Sequence, residues 1–345
     1  MAPNTVTILG LGCLAGSYAT MIYYDITMTQ NIPGWTHLAV AIGIFLFQTL
    51  DAIDGKQARR INCSSSLGQL FDHGCDAISW TITNMSVVSF LSLGLTNNAI
   101  LAIYASIAPF YFTNLLEYYS GVYEYSIGVM DGTTGQMILI IFNLIPFFLG
   151  NDFYSWKCDE SFPFLPEIMT KGYLHRHYAM IVVVYIGACF SIMLLFKVYS
   201  AIEGVKTKII VTLQLIQHFS LYALMLWFDE DIPFVRNNAA FIYICVIFLY
   251  CITTCKLIVC TMSKTKYSII HYEYLVFGIY FYFQHQYDGS AESESNLKFA
   301  FWTVFCIMGL LYFRFTQSCI NQISQYLGIY CFSVKPRDSN KEKNA

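Results

Sequence analysis

The chain has 345 residues, of which 56% are hydrophobic and 12% charged, with a formal net charge of −3. An ordinary soluble domain is about a quarter charged, so this composition excludes a water-soluble globule. The small net charge gives no footprint for nucleic acid or another polyanion. A helix needs roughly 20 mostly apolar residues to cross a bilayer, and runs of about that length recur along the chain. In chain order the predicted spans are Thr5–Tyr24, Thr36–Leu50, Asp76–Leu95, Ala99–Tyr118, Thr134–Leu149, Tyr178–Tyr199, Ile209–Phe228, Asn237–Cys260, Ile269–Phe283 and Lys298–Phe315. Near-continuous apolar stretches such as Val40–Leu50 and Met180–Leu195 lack the alternating polarity of a transmembrane barrel. The expected fold class is an all-α integral membrane protein, a bundle of about ten transmembrane helices. Residues 1–345 read as a single polytopic membrane domain with a polar tail from about residue 333.

Basic loops stay on the cytosolic side of a membrane. In a ten-span arrangement Lys56, Arg59, Arg60, Lys197, Lys206, Lys208, Lys264, Lys266, Lys335, Arg337, Lys341 and Lys343 fall on one side. The acidic loops Asp229–Asp231 and Asp288–Glu294 fall on the other. Parity and charge therefore place Asp51–Asp76 toward the cytosol. The first apolar stretch lacks a basic leader and a small-residue cleavage site, so it reads as a span rather than a signal peptide. The long polar interruption at Asn151–His177 suits a folded lumenal loop. Most of the twelve cysteines lie in apolar spans without C-x-x-C spacing, as small buried hydrophobes do. His175 and His177 carry only a weak His-x-His spacing, and His218 and His271 read as polar residues within or beside the bundle.

Asp51, Asp54, Asp72 and Asp76 put four carboxylates within 26 residues, at the end of one predicted span and the start of the next. Ionisable groups near membrane depth normally pair, bind ions or line a polar path. Asp51 and Asp54 are spaced i,i+3 and Asp72 and Asp76 i,i+4, so each pair shares a helix face. Converging carboxylates repel unless hard cations sit between them, and oxygen donors suit Mg²⁺ or Mn²⁺ better than zinc. The expectation is a centre for two divalent ions. Gly55, Ala58 and Gly68 leave room for a ligand to approach the backbone, and Arg59 offers a planar fork for phosphate oxygens.

The pattern Asp51-x2-Asp54-Gly55-x2-Ala58-Arg59-x8-Gly68-x3-Asp72-x3-Asp76 resembles the signature of the CDP-alcohol phosphotransferase family. The run DGKQARR…LGQLFDHGCD is similar to its eukaryotic choline/ethanolamine branch. The likeness extends to MAPNTVTILGLG, KLIVCTMSK and RFTQSCINQISQYLGIYCFSVK. It implies that Asp51, Asp54, Asp72 and Asp76 hold two divalent metals, that Arg59 contacts a diphosphate, that Asn4 contacts the nucleotide, and that Gly55, Ala58 and Gly68 line the CDP moiety. The implied partners are CDP-choline or CDP-ethanolamine, diacylglycerol and membrane lipid, with pairing into a homodimer as a family habit. The implied reaction transfers the phospho-alcohol to diacylglycerol and releases CMP. His73 is the candidate proton acceptor, because an unperturbed imidazole titrates near neutral pH; Asp76 is the alternative.

Two features depart from the family pattern. Relatives usually carry an interfacial helix before the Ala2-Pro3-Asn4 motif, which here stands at the first residues. Many also have a glutamate in a turn after the fourth span, where this chain has Gly132-Thr133-Thr134-Gly135, with Glu117 just upstream. Lys341 and Lys343 match a dilysine retrieval signal, which with the resemblance suggests the endoplasmic reticulum or Golgi. The competing readings are a family member using another alcohol such as inositol, or a polytopic transporter or non-catalytic scaffold. Transporters often show related halves, and the charged cluster occurs once.

Overall fold

The computed structural model describes residues 1–333 apart from positions 125, 128, 129, 162 and 165. The lysine pair Lys341 and Lys343, and the tail around it, lie outside the described residues. Ten helices of nine residues or more are described: α1 (Pro3–Tyr24), α2 (Gly34–Arg60), α3 (Ser66–Phe90), α4 (Asn97–Ser120), α5 (Gly132–Leu149), α6 (His175–Ala201), α7 (Val205–Leu226), α8 (Ala239–Ser263), α9 (Phe277–His285) and α10 (Ala291–Leu327). Short helical turns occupy the connections, and a hairpin of two-residue strands, Ser126–Ile127 against Met130–Asp131, precedes α5. The protein is an all-α membrane bundle.

Several helix starts follow from side-chain caps. Ser65 Oγ accepts the Gly68 amide at 3.1 Å, Thr96 Oγ1 that of Ala99 at 3.3 Å, Asp131 Oδ1 that of Thr134 at 2.6 Å and Ser290 Oγ that of Ser293 at 3.2 Å. Each satisfies an amide that the first helical turn leaves without a partner.

Eight of the ten helices are long and apolar enough to cross a membrane, the exceptions being α3 and α9. At 25 residues α3 has the length, but Gln69, Asp72, His73 and Asp76 make its first half polar. The ninth predicted span, Ile269–Phe283, is broken: a 3₁₀ turn over Tyr272–Val276 leads into the nine-residue α9. Nine residues rise about 14 Å, short of the roughly 30 Å hydrocarbon thickness. The cause is local. Ser268 Oγ bonds both the amide and the carbonyl of Ile270, competing with helical pairing, and Glu273 is drawn inward to Lys256 of α8 at 2.5 Å.

At the centre lie α4 and α8, whose apolar windows are 83% and 72% buried, with α3 packed between them. Helices at the periphery keep bare apolar stripes, as on α6, where Ile181, Tyr185, Ile192 and Phe196 are all exposed, as lipid-facing surfaces are. Close crossings need glycine. A Cβ on Gly187 of α6 would stand 2.3 Å from the Ala105 carbonyl oxygen of α4.

One end of the bundle is tied together by contacts between distant segments. Tyr118 at the end of α4 meets Thr265 and Tyr267 after α8. Lys197 at the end of α6 pairs with Glu124, and Thr5 at the start of α1 donates to the Phe332 carbonyl. The last turns of α2 with Lys56, Arg59 and Arg60, tied to the start of α1 by the bond from Gln57 to the Met1 carbonyl, and the basic residues at 197–208 and 264–266 therefore share that end. At the far end Gly94 donates to Met28 and Asp229 to Gln284.

The Lys256–Glu273 pair pins the broken segment, with Glu273 only 2% exposed. Lys256→Met leaves a lone buried carboxylate, which costs about 3 kcal/mol. We expect a clear fall in the thermal unfolding temperature in detergent, and the double variant Lys256→Met/Glu273→Gln to recover most of it. Equal unfolding temperatures for wild type and Lys256→Met would show that the pair contributes nothing.

Candidate metal centre and flanking cavities

The site is assembled from three helix ends. The last three turns of α2 carry Asp51, Asp54, Gly55, Ala58 and Arg59, the first three turns of α3 carry Gly68, Asp72, His73 and Asp76, and the start of α1 brings Asn4 and Thr7. One carboxylate oxygen from each of Asp51, Asp72 and Asp76 lies within 4.8 Å of the others. Asp51 Oδ1 and Asp72 Oδ1 are sealed from solvent and accept no hydrogen bond. Three close carboxylates, two of them with an orphaned oxygen, are a donor set for a hard divalent cation. Asp54 is buried and accepts a hydrogen bond from the hydroxyl of Thr7, itself buried in α1. The geometry thus gathers three of the four aspartates and holds the fourth against α1.

Two cavities flank this cluster. The first, of about 730 Å³, is lined by Asn4, Asp54, Gly55, Ala58, Arg59, Gly68 and Asp72, together with the 62–66 loop and residues of the 329–333 segment. All five residues expected to contact substrate face it. A Cβ on Gly55 would sit 3.5 Å from an Arg59 guanidinium nitrogen, and one on Gly68 3.7 Å from Asn4 Oδ1. Both glycines therefore point their open side into the same space.

The second cavity, of about 840 Å³, runs between α2, α3, α4, α5 and α6. Asp51, Asp72, His73 and Asp76 form its polar end, and Phe45, Trp80, Phe110, Val182 and Phe190 are among its apolar walls. Trp80 is fixed by donating its indole N–H to the Ser106 carbonyl at 2.7 Å. Asp72 lines both cavities.

His73 is buried, its Nδ1 accepts no hydrogen bond, and its ring lies 4.7 Å from that of Tyr123. Sequence reasoning missed Tyr123 and Thr7. Thr7 follows Asn4 at i+3 on one helix face and could have been found by that spacing; Tyr123 sits in an irregular segment with no periodic signal. Gly132, Thr133 and Gly135, standing where relatives often have glutamate, line the second cavity, and Glu117 lines neither cavity. The remaining histidines lie elsewhere. His175 packs against Phe153 at 4.6 Å, His177 Nδ1 accepts the Leu174 amide at 2.9 Å, and His218 stacks on Tyr111 at 3.9 Å. All twelve cysteines are free.

Known proteins resemble the part of the chain that carries this site. Residues 1–158 match the family described as CDP-alcohol phosphatidyltransferase. Cholinephosphotransferase 1 of Danio rerio is 36% identical over 185 residues, spanning 52% of this chain and 47% of that protein; the match thus reaches about half of its length. Cholinephosphotransferase 1 of Xenopus laevis is 27% identical over 350 residues, 99% of this chain and 83% of that protein. An uncharacterized CDP-alcohol phosphatidyltransferase class-I family protein of Dictyostelium discoideum is 28% identical over 340 residues, 97% and 84% of the two chains. Every residue of the carboxylate cluster falls inside the matched segment, so a multi-pass membrane chain carries, over residues 1–158, a match to the CDP-alcohol phosphatidyltransferase family.

Proposed function

We propose that the protein transfers phosphocholine or phosphoethanolamine from the corresponding CDP-alcohol to diacylglycerol, releasing CMP. The observation that carries this reading is that Asp72 borders both cavities. A cavity lined by an arginine, an asparagine and two bare glycines meets, at a carboxylate cluster, a larger one walled by Phe45, Trp80, Phe110, Val182 and Phe190, as a reaction between a water-soluble diphosphate and a lipid requires. The cholinephosphotransferases among the relatives make CDP-choline the first donor to test.

Asn4, Gly55, Ala58, Arg59 and Gly68 bind the nucleotide and its diphosphate in the smaller cavity. Diacylglycerol enters the second cavity with its hydroxyl toward His73. Asp51, Asp72 and Asp76, with Asp54, hold two divalent ions, Mg²⁺ or Mn²⁺. When bound, such ions neutralise charge developing on the phosphates. The 3-hydroxyl oxygen forms a bond to the phosphorus bearing the headgroup, and the bond from that phosphorus to the oxygen of the CMP phosphate breaks. His73 takes the hydroxyl proton, while Asp76 is the alternative acceptor; a carboxylate committed to a cation is the poorer base. The clustering of basic residues at the site's end of the bundle supports a cytosolic active site. Endoplasmic reticulum or Golgi residence, a single membrane domain and pairing into a homodimer belong to the same reading.

Purified protein in liposomes with diacylglycerol, Mg²⁺ and equal labelled CDP-choline and CDP-ethanolamine should form phospholipid and CMP in equal amounts. No product from either donor would overturn the proposal. Chelation should abolish the activity and Mg²⁺ or Mn²⁺ restore it. Asp72→Asn should lower kcat by about a hundredfold or more, and His73→Ala by about 10²- to 10⁴-fold; a His73→Ala enzyme near the wild-type rate would move the base to Asp76. A Cβ at Gly68 would make ordinary contacts with Ser65 Oγ at 3.5 Å and Asn4 Oδ1 at 3.7 Å, so the methyl groups of Gly68→Val would take up space in the donor cavity without a backbone clash. The variant should leave thermal stability unchanged and raise KM for the CDP-alcohol alone, and an unchanged donor KM would remove Gly68 from the donor site.

A further inference from the structure

The donor cavity is walled from two ends of the described chain. One side is Ala2, Pro3 and Asn4, and the facing side is the segment after α10, where Ile329, Tyr330, Cys331 and Ser333 reach it. That segment is held there by several contacts. Gly328 ends α10 in the left-handed region at φ 63°, where glycine is strongly favoured, and so turns the chain back over α1. The Asn4 side-chain amide donates to Cys331 Sγ at 3.4 Å, the Thr5 hydroxyl donates to the Phe332 carbonyl at 3.4 Å, and the Phe332 ring meets Phe71 of α3 edge-on at 5.4 Å. Phe71 directly precedes Asp72, and Asn4 itself lines the cavity. The segment therefore touches the donor side of the site through both α1 and α3, although it lies far outside residues 1–158.

We infer that residues 329–333 form a binding wall for the nucleoside half of the donor, with Cys331 facing the bound nucleotide. The inference rests on the proposed donor role of this cavity. Sequence separation hides it: Asn4 and Cys331 are 327 positions apart.

Two thiols in one cavity provide the test. Cys63, in the loop after α2, and Cys331 both line it, and both are partly exposed. Full-length protein in detergent is treated with N-ethylmaleimide with and without CMP and Mg²⁺, and alkylation of each cysteine is followed by peptide mass spectrometry. At CMP about ten times its dissociation constant, mass action leaves about a tenth of the sites open. Alkylation of Cys331 and Cys63 should slow about tenfold, and that of the exposed Cys13 and Cys306 should not change. Protection of Cys63 alone would overturn the wall at 329–333 while leaving the donor cavity in place. Protection of neither would overturn both. As a second measurement, Cys331→Trp should raise KM for the CDP-alcohol by at least tenfold with kcat and the diacylglycerol KM near wild type; an unchanged donor KM would contradict the inference.

Discussion

The architecture is organised around the cost of holding several carboxylates together at the edge of a membrane bundle. Like charges at this spacing repel, and removing them from water is expensive. Asp51, Asp72 and Asp76 nevertheless approach within 4.8 Å. Much of the surrounding structure keeps them there. The Ser65 cap fixes where α3 begins, which sets the face that carries Asp72 and Asp76. Thr7 holds Asp54 against α1, and the close packing of α1 on α2, with Gly43 against Ser17, fixes the height at which the hydroxyl meets the carboxylate. Such an arrangement suits a divalent cation, and the family matched by residues 1–158 is generally dependent on one.

Placing the cluster between two unlike cavities turns an electrostatic cost into a meeting point. The smaller cavity presents an arginine, bare backbone and amide groups to one side of Asp72. The larger cavity presents aromatic and branched aliphatic walls to the other, between helices whose outer faces meet lipid. The tight α4–α6 crossing at Gly187 and Ala105 contributes one wall of this chamber, so lipid-side geometry depends on a glycine more than a hundred residues beyond the last carboxylate.

Much of this was legible in the sequence because hydropathy and helical spacing are local properties. The i,i+3 and i,i+4 aspartate pairs define helix faces without a structure, and the apolar runs locate nearly every span. Boundaries were less legible around the charged residues. Helix α2 continues ten residues past Leu50 and α3 begins ten residues before Asp76, because charged groups end an apolar run without ending a helix. The break at Tyr272–Val276 depends on Glu273 finding Lys256 across the bundle. Thr7 with Asp54, Tyr123 with His73 and Asn4 with Cys331 are contacts between distant segments; the i+3 spacing from Asn4 marks Thr7 as sharing its helix face, but no single-sequence pattern announces the partners across the fold.

The central claim is that donor and acceptor occupy opposite sides of Asp72. It is tested most directly by a cryo-electron microscopy map of the protein with Mn²⁺, CMP and a short-chain diacylglycerol. The account predicts CMP density against Asn4, Arg59 and Gly68, ion density bounded by Asp51, Asp72 and Asp76, and glycerol density beside His73 in the larger cavity. CMP and diacylglycerol in the same cavity, or CMP bound away from Asp72, would contradict it.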